Sequence, residues 1–170
     1  MYEGLNIRSE IGRLRKVMLY RPGGELLNLS PDTLGPLLFD DIPFLEEAQR
    51  EHDCFARLLA DEGVEVLYLE QLMAEALDAA PGARREFCKR WLDESGLDGH
   101  AARRAVRELL DSIEDTRAMV DKCIEGVRAD ELDLSPERAA SLADLMLTDK
   151  NAGSPLVIDP IPNIYFTRDT

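Results

Sequence analysis

The stretch "IPFLEEAQREHDCFARLLADEGVEVLYL" (residues 42–69) joins a helical pattern directly to a strand pattern. Its apolar face recurs at three- and four-residue steps, at Leu45, Ala48, His52, Phe55 and Leu59. This spacing predicts an amphipathic helix over residues 42–63. We expect Asp41 to cap the start of this helix, Pro43 to lie in its first turn and Gly63 to end it, because these residue types favour those positions.

A strand is predicted on each side of that helix. "VEVLYL" (64–69) follows it, and "LRKVMLYRPGG" (14–24) precedes it with the apolar run 17–20, which Pro22-Gly23-Gly24 ends. A strand–helix–strand connection of this length normally joins parallel strands. The sequence therefore predicts an α/β unit in residues 1–70.

The pattern changes near residue 70, and residues 70–147 contain five helical segments and no predicted strand. The segments are "EQLMAEAL", "ARREFCKRWLDES", "HAARRAVRELLDSI", "DTRAMVDKCIEGV" and "SPERAASLADLML". Their expected core consists of Phe87, Trp91, Val106, Leu109, Leu110, Ile113, Val120, Ile124, Leu142, Leu145 and Met146. A strand pattern returns in "LVIDPIPNIYF" (156–166). We therefore expect an α/β body in residues 1–70 and 149–170, interrupted by a helical insert in residues 71–148.

Composition narrows the class of function. The 170 residues carry a formal net charge of −14, with 45% hydrophobic and 32% charged residues. Such a charge repels phosphate backbones, which argues against a nucleic-acid partner. No apolar run is long enough to span a membrane, and there is no hydrophobic signal core at the N-terminus, so a cytoplasmic protein is expected.

The three cysteines, Cys54, Cys88 and Cys123, fit no zinc-binding spacing, and their odd number argues against a disulfide framework. All three lie in predicted helices, and we expect buried or half-buried structural thiols. His52 lies on an apolar helix face and is expected to be packed there, whereas His100 is expected to be exposed at a helix start.

The final block, "PNIYFTRD" (162–169), ends in a carboxylate that follows an aromatic run. In an extended segment Asn163, Tyr165 and Thr167 share one face, and Asp169 joins them if the strand remains regular. A carboxylate can accept two hydrogen bonds from a guanidinium group. The residues alone fit either a site for a planar cation or an edge strand with a surface ion pair between Arg168 and Asp169.

Three blocks of the sequence resemble arginine deiminases in the same order: "SEIGRLRKVMLYRPGGEL" (9–26), "LLFDDIPFLEEAQREHDCF" (37–55) and "PNIYFTRDT" (162–170). The resemblance implies a pseudo-fivefold α/β propeller with an all-helical insert. It also implies hydrolysis of L-arginine to L-citrulline and ammonia through a covalent thiol intermediate, with no metal or organic cofactor.

The same resemblance assigns roles to individual residues. Asp169 corresponds to a catalytic-site aspartate that holds the substrate guanidinium, and Asn163 to an amide that binds the amino-acid end. Phe166 corresponds to an aromatic residue against the substrate stem. Leu38 corresponds to a loop residue that closes over the site, and Arg168 is expected to orient the carboxylate or its loop. We also expect the apolar loop at 37–39 to be packed.

The resemblance does not extend to the family's nucleophilic cysteine. The family's cysteine lies near the C-terminus in a glycine-rich context after a histidine, and no such pattern occurs here. The chain is therefore expected to be about the first two-fifths of an arginine deiminase, inactive alone, and to self-associate as a homo-oligomer. The alternatives are an agmatine deiminase or methylarginine hydrolase, or a non-catalytic module whose acidic helices bind a partner.

Overall fold

The computed structural model describes residue 9, residues 11–133 and residues 156–165. These residues form six α-helices and two small two-stranded sheets, together with short 3-10 turns. Neither sheet closes into a barrel within this part of the chain. The mixed α/β class that the alternating patterns predicted is confirmed.

The first sheet pairs β1 (Lys16–Leu19) with β2 (Glu65–Tyr68). The strands are parallel, in a register that places Lys16 opposite Glu65 and Leu19 opposite Tyr68. Lys16 Nζ lies 2.9 Å from Glu65 Oε2, so opposite charges meet across the pair. The parallel arrangement predicted from the strand–helix–strand pattern is confirmed.

The helix between these strands, α2 (Leu45–Asp61), begins three residues later than predicted. Asp41 does not cap it, because Phe44 is the residue before the first turn and the Asp41 carboxylate accepts from the backbone N–H of Ile42. Phe55 is also misassigned, since its side chain is 52% exposed whereas Ala56 is buried. The buried face follows the four-residue step from His52 to Ala56 rather than the step of three to Phe55.

Four of the five helices predicted for residues 70–147 are confirmed as α3 (Leu69–Ala79), α4 (Ala83–Glu94), α5 (His100–Ser112) and α6 (Thr116–Glu125). The fifth, at 135–147, lies outside the described residues. The expectation of no strand in this region is wrong, because β3 (Val127–Arg128) pairs antiparallel with β4 (Leu156–Ile158). A strand of two residues is too short to show a periodic pattern in the sequence, and it is recognisable only from its pairing with β4.

The hydrophobic core lies among these helices and contains much of the predicted set. Val106, Leu110, Val120 and Ile124 are buried, and Phe87, Trp91, Leu109 and Ile113 are half-buried against them. The remaining members of the prediction, Leu142, Leu145 and Met146, lie outside the described residues. Among the helices that the structure describes, none is long and apolar enough to cross a membrane.

Candidate substrate-binding segment

The segment that leads to the predicted guanidinium ligand begins at β4 and then turns. After Ile158 the chain passes Pro160 and enters a 3-10 helix at Pro162–Tyr165. The expectation of an extended strand is therefore wrong for residues 162–165. Proline fixes φ near −65°, which suits the first turn of a helix as well as extended backbone. Because a 3-10 helix has three residues per turn, the two-residue alternation expected of a strand does not apply to this segment.

This segment is docked on the helical core by its backbone and by apolar side chains. The backbone N–H of Ile161 donates to the carbonyl oxygen of Ile124, at the end of α6, over 2.8 Å. Ile158, Pro160 and Pro162 are buried, and Ile164 packs against the core. Both the backbone and the apolar side chains of this segment therefore fix its position on the helical core.

Only two of the five predicted site residues fall in the described part of the chain. The backbone of Asn163 lies in the 3-10 helix, and Leu38 lies in the loop between α1 (Pro31–Leu34) and α2. Phe166, Arg168 and Asp169 lie outside the described residues, so their roles stay predictions.

Leu38 has an unusual conformation for an apolar residue. Its φ is +60°, in the left-handed region, and its side chain is 86% exposed. The expectation that this loop is packed is wrong for Leu38, whereas Leu37 and Phe39 are half-buried. A non-glycine residue in this region costs about 1–2 kcal/mol. Residues held at such a cost occur preferentially at ligand-binding and switching segments.

The loop that follows β1 is fixed by a buried carboxylate that the sequence patterns did not single out. Glu25 is 1% exposed and lies in a 3-10 helix at Gly24–Leu26. It accepts from the Tyr20 hydroxyl and from the backbone N–H of Gly23, each over 2.8 Å. A glutamate after two glycines looks like a surface turn in sequence, so its burial was not predictable from local pattern.

A second buried carboxylate, Glu70, lies in the first turn of α3 and is 2% exposed. Its Oε1 accepts from Arg117 Nη2 of α6 over 2.8 Å, and the Nε of that guanidinium also donates to Asp121. Glu70 Oε2 has no hydrogen-bond partner among the described residues. Burial raises the pKa of Glu70, and the Arg117 charge opposes that rise.

Comparison with known proteins identifies the family. The sequence model of the arginine deiminase family matches residues 35–170. An arginine deiminase of Streptococcus sanguinis is 54% identical over 165 residues, which cover 97% of this chain. The chain belongs to the arginine deiminase family. Arginine deiminases of Streptococcus gordonii and Streptococcus pneumoniae are similar at 53% and 52% identity. The chain spans 39% of the length of these relatives.

Within this arginine deiminase segment the three cysteines are free thiols on helices, as predicted. Cys88 and Cys123 are buried, and their Sγ atoms lie 3.5 and 3.8 Å from Met119 Sδ. Burial raises the pKa of both thiols, that of Cys123 to about 12, which disfavours the nucleophilic thiolate. Cys54 is exposed, so the expectation of a buried or half-buried thiol is wrong there.

The two histidines occupy the environments that the sequence predicted. His52 is half-buried on α2, with its ring centroid 5.9 Å from that of Tyr68, and burial lowers its pKa. His100 is the exposed first residue of α5. Among the described residues, no group of three or more His, Cys, Asp and Glu side chains is placed to hold a metal ion.

Proposed function

We propose that this chain is the N-terminal part of an arginine deiminase, a cytoplasmic enzyme that hydrolyses L-arginine to L-citrulline and ammonia. The observation that carries the proposal is the 54% identity to an arginine deiminase over 97% of the chain. That length includes nearly all of the three blocks on which the sequence resemblance rests. The strand–helix–strand unit is the start of a pseudo-fivefold propeller, and residues 71–148 are its helical insert.

The chain contributes groups that bind and orient the substrate. Asp169 accepts two hydrogen bonds from the guanidinium, the geometry in which a carboxylate and a guanidinium interact most strongly. Asn163 binds the amino-acid end, Phe166 packs against the apolar stem, and Arg168 orients the carboxylate. Leu38 closes over the bound substrate, and its positive φ and exposed side chain support this role.

The chemical step uses a thiolate outside these 170 residues. The thiolate forms a bond to the guanidinium carbon, ammonia leaves after a histidine supplies its proton, and water then breaks the carbon–sulfur bond to release citrulline. The raised pKa values of Cys88 and Cys123 support the assignment of this step to another cysteine.

Arginine turnover by the full-length protein tests the proposal. We expect L-arginine to give citrulline and ammonia in equal amounts, with much lower kcat/KM for agmatine and for methylarginine. A preference for agmatine or methylarginine would assign the protein to another guanidine-modifying hydrolase. Absence of turnover of all three would support the non-catalytic interaction module instead.

The 170-residue chain alone should neither bind arginine tightly nor produce citrulline. One exposed carboxylate–guanidinium pair contributes about 0–1 kcal/mol, whereas millimolar binding requires about 4.1 kcal/mol. Calorimetric titration and a colorimetric citrulline assay test the two parts. Citrulline from the pure chain would mean that one of its own cysteines reacts.

The protein is also proposed to form a homo-oligomer. Met18 on β1 and Phe55 and Leu58 on α2 are 49%, 52% and 66% exposed, which is a large exposure for side chains of this size. A two-stranded parallel sheet also leaves an edge on each strand that can pair further. A strictly monomeric chain in light scattering at high concentration would contradict this proposal.

A further inference from the structure

We infer that the C-terminal end of α6, residues 124–126, positions the substrate-binding segment, and that Gly126 is a positioning residue for arginine turnover. The inference rests on the proposed function, because it concerns the segment that carries Asn163 and leads to Asp169. Neither the sequence patterns nor the family resemblance pointed to Gly126.

The end of α6 holds two distant parts of the chain by adjacent carbonyl groups. The last carbonyls of a helix have no partner within the helix. Here the Ile124 carbonyl accepts from the backbone N–H of Ile161, and the Glu125 carbonyl accepts from Asn28 Nδ2, each over 2.8 Å. The helix end therefore joins the loop after β1 to the segment that follows β4.

Gly126 brings the substrate-binding segment closer than any other residue type would allow. A Cβ at this position would lie 2.7 Å from Ile158 O, 2.8 Å from Pro160 N and 2.9 Å from Asp159 C. All three are backbone atoms, so no side-chain rotation can relieve the overlap. Gly126 also has φ of +82°, which other residues rarely adopt.

A methyl group at position 126 would therefore move residues 158–160. Restoring the shortest contact from 2.7 Å to the 3.4 Å at which ordinary contact begins requires a backbone shift of about 0.7 Å. The chain continues from there through the 3-10 helix towards Asp169. A misplacement of about 1 Å in a reacting group can cost about 100-fold in rate. We therefore expect Gly126→Ala to lower kcat/KM by roughly 10-fold or more.

Two other glycines with positive φ provide controls for the close contact. Gly82 and Gly96 have φ of +81° and +71°, close to the value at Gly126. In contrast to Gly126, a Cβ at either position meets nothing within 4 Å among the described residues. Gly82→Ala and Gly96→Ala therefore place a side chain at a positive φ without the contact with residues 158–160. The ψ values of −5° at Gly82 and −177° at Gly126 make the backbone strain larger at Gly126, so Ile161 exchange and KM, rather than stability, separate the variants.

The test uses the full-length protein and its three glycine variants. KM and kcat for arginine are measured together with hydrogen exchange at the Ile161 amide. For Gly126→Ala we expect a raised KM, a kcat/KM reduced roughly 10-fold or more and faster Ile161 exchange. For Gly82→Ala and Gly96→Ala we expect kcat/KM within about threefold of the wild type and unchanged Ile161 exchange. A purely structural loss would lower the fraction of active enzyme and leave KM unchanged.

An unchanged KM in Gly126→Ala, or an equal rise in all three variants, would overturn the inference. If Gly126→Ala does not fold, Ile161→Pro removes the donor to the Ile124 carbonyl at a residue that already lies between two prolines. A KM unchanged in that variant would equally overturn it. If the wild-type protein does not turn over arginine, the proposed function fails. Ile161 exchange in Gly126→Ala and Gly96→Ala would then decide alone whether the helix end holds the segment.

Discussion

Replacing Arg117 with alanine should destabilise the protein by about 2–3 kcal/mol. The variant leaves the Glu70 carboxylate, which is 2% exposed, without its guanidinium partner. A hydrogen bond to a charged group contributes about 1.5–3 kcal/mol, and removing one partner of a fully buried ion pair costs about 3–5 kcal/mol. Because Arg117 is 38% exposed, water can partly replace it, and we expect the lower part of these ranges.

The cost of Arg117→Ala should increase with pH. Burial raises the pKa of Glu70 above its ordinary value of 4.5, and loss of the Arg117 charge should raise it further. A carboxyl group whose pKa is raised in the folded state stabilises the fold most below its unfolded pKa, and this stabilisation is lost as pH rises through the folded value. Near pH 5 the variant can protonate Glu70, whereas near pH 8 it must bury the charge.

Urea unfolding at about pH 5 and pH 8 measures both effects. Arg90→Ala is the control, because Arg90 pairs with Glu86 on the surface of α4, with side chains 72% and 53% exposed, and exposed pairs of this kind contribute little to stability. In a Glu70→Gln background, Arg117→Ala should cost clearly less than in the wild type. Equal costs for Arg117→Ala and Arg90→Ala, or an unchanged cost in the Glu70→Gln background, would refute the reasoning.

Three further predictions concern the site, the core and a surface ion pair. In the full-length protein Asp169→Ala should lower kcat/KM by at least about 10- to 150-fold, because a charged hydrogen-bond pair is lost. Asp159→Ala, at an exposed position, is the control. If the two variants had similar kcat/KM, Asp169 would not belong to the site. Leu110→Ala should cost about 2–5 kcal/mol in urea unfolding because Leu110 is 1% exposed, whereas Leu58→Ala, at 66% exposed, should cost less than about 1 kcal/mol. Hydrogen bonds from Arg21 lower the pKa of Asp53, so their stabilisation is present above the ordinary value of 3.8 and is lost as pH falls through the lowered pKa. Asp53→Asn should therefore reduce the pH dependence of Tm between about pH 2 and 5, and an identical profile would contradict this.

The elements that the sequence predicted correctly are those with several turns of periodic pattern. α2, β1 and β2 were recognisable from their apolar residues, and α3, α4 and α5 because glycine and proline separate them, whereas α5 and α6 are joined by Ile113, Glu114 and Asp115. Helix ends were less predictable. Asp41 has the residue type of a cap, but Pro43 follows it and the helix begins beyond Phe44. A residue before proline is disfavoured in the helical region, which excludes Ile42 from the helix; no feature of the local sequence explains why the start lies as late as Leu45.

The candidate site was predictable by resemblance more than by pattern. Leu38 was assigned to the site only because its block resembles the family, and nothing in the sequence around it indicates its positive φ. Glu25 and Glu70 were not predicted, since a buried carboxylate cannot be told from a surface one until its donors are known. Tyr20, the donor to Glu25, lies 5 residues from it in the sequence, whereas Arg117, the donor to Glu70, lies 47 residues away. No local sequence pattern indicates the second pair.

The 3-10 helix at Pro162–Tyr165 shows why the strand prediction failed at the most important segment. Proline restricts φ, but it leaves both extended and helical ψ open, so the local sequence permitted either backbone. The choice follows from contacts made 32–37 residues earlier in the chain, where the Ile124 carbonyl accepts from Ile161 and Gly126 lies against the backbone of residues 158–160. The end of α6 therefore fixes the backbone of residues 158–161, and this contact is the basis for proposing that a helix more than 30 residues earlier in the chain positions the substrate-binding segment.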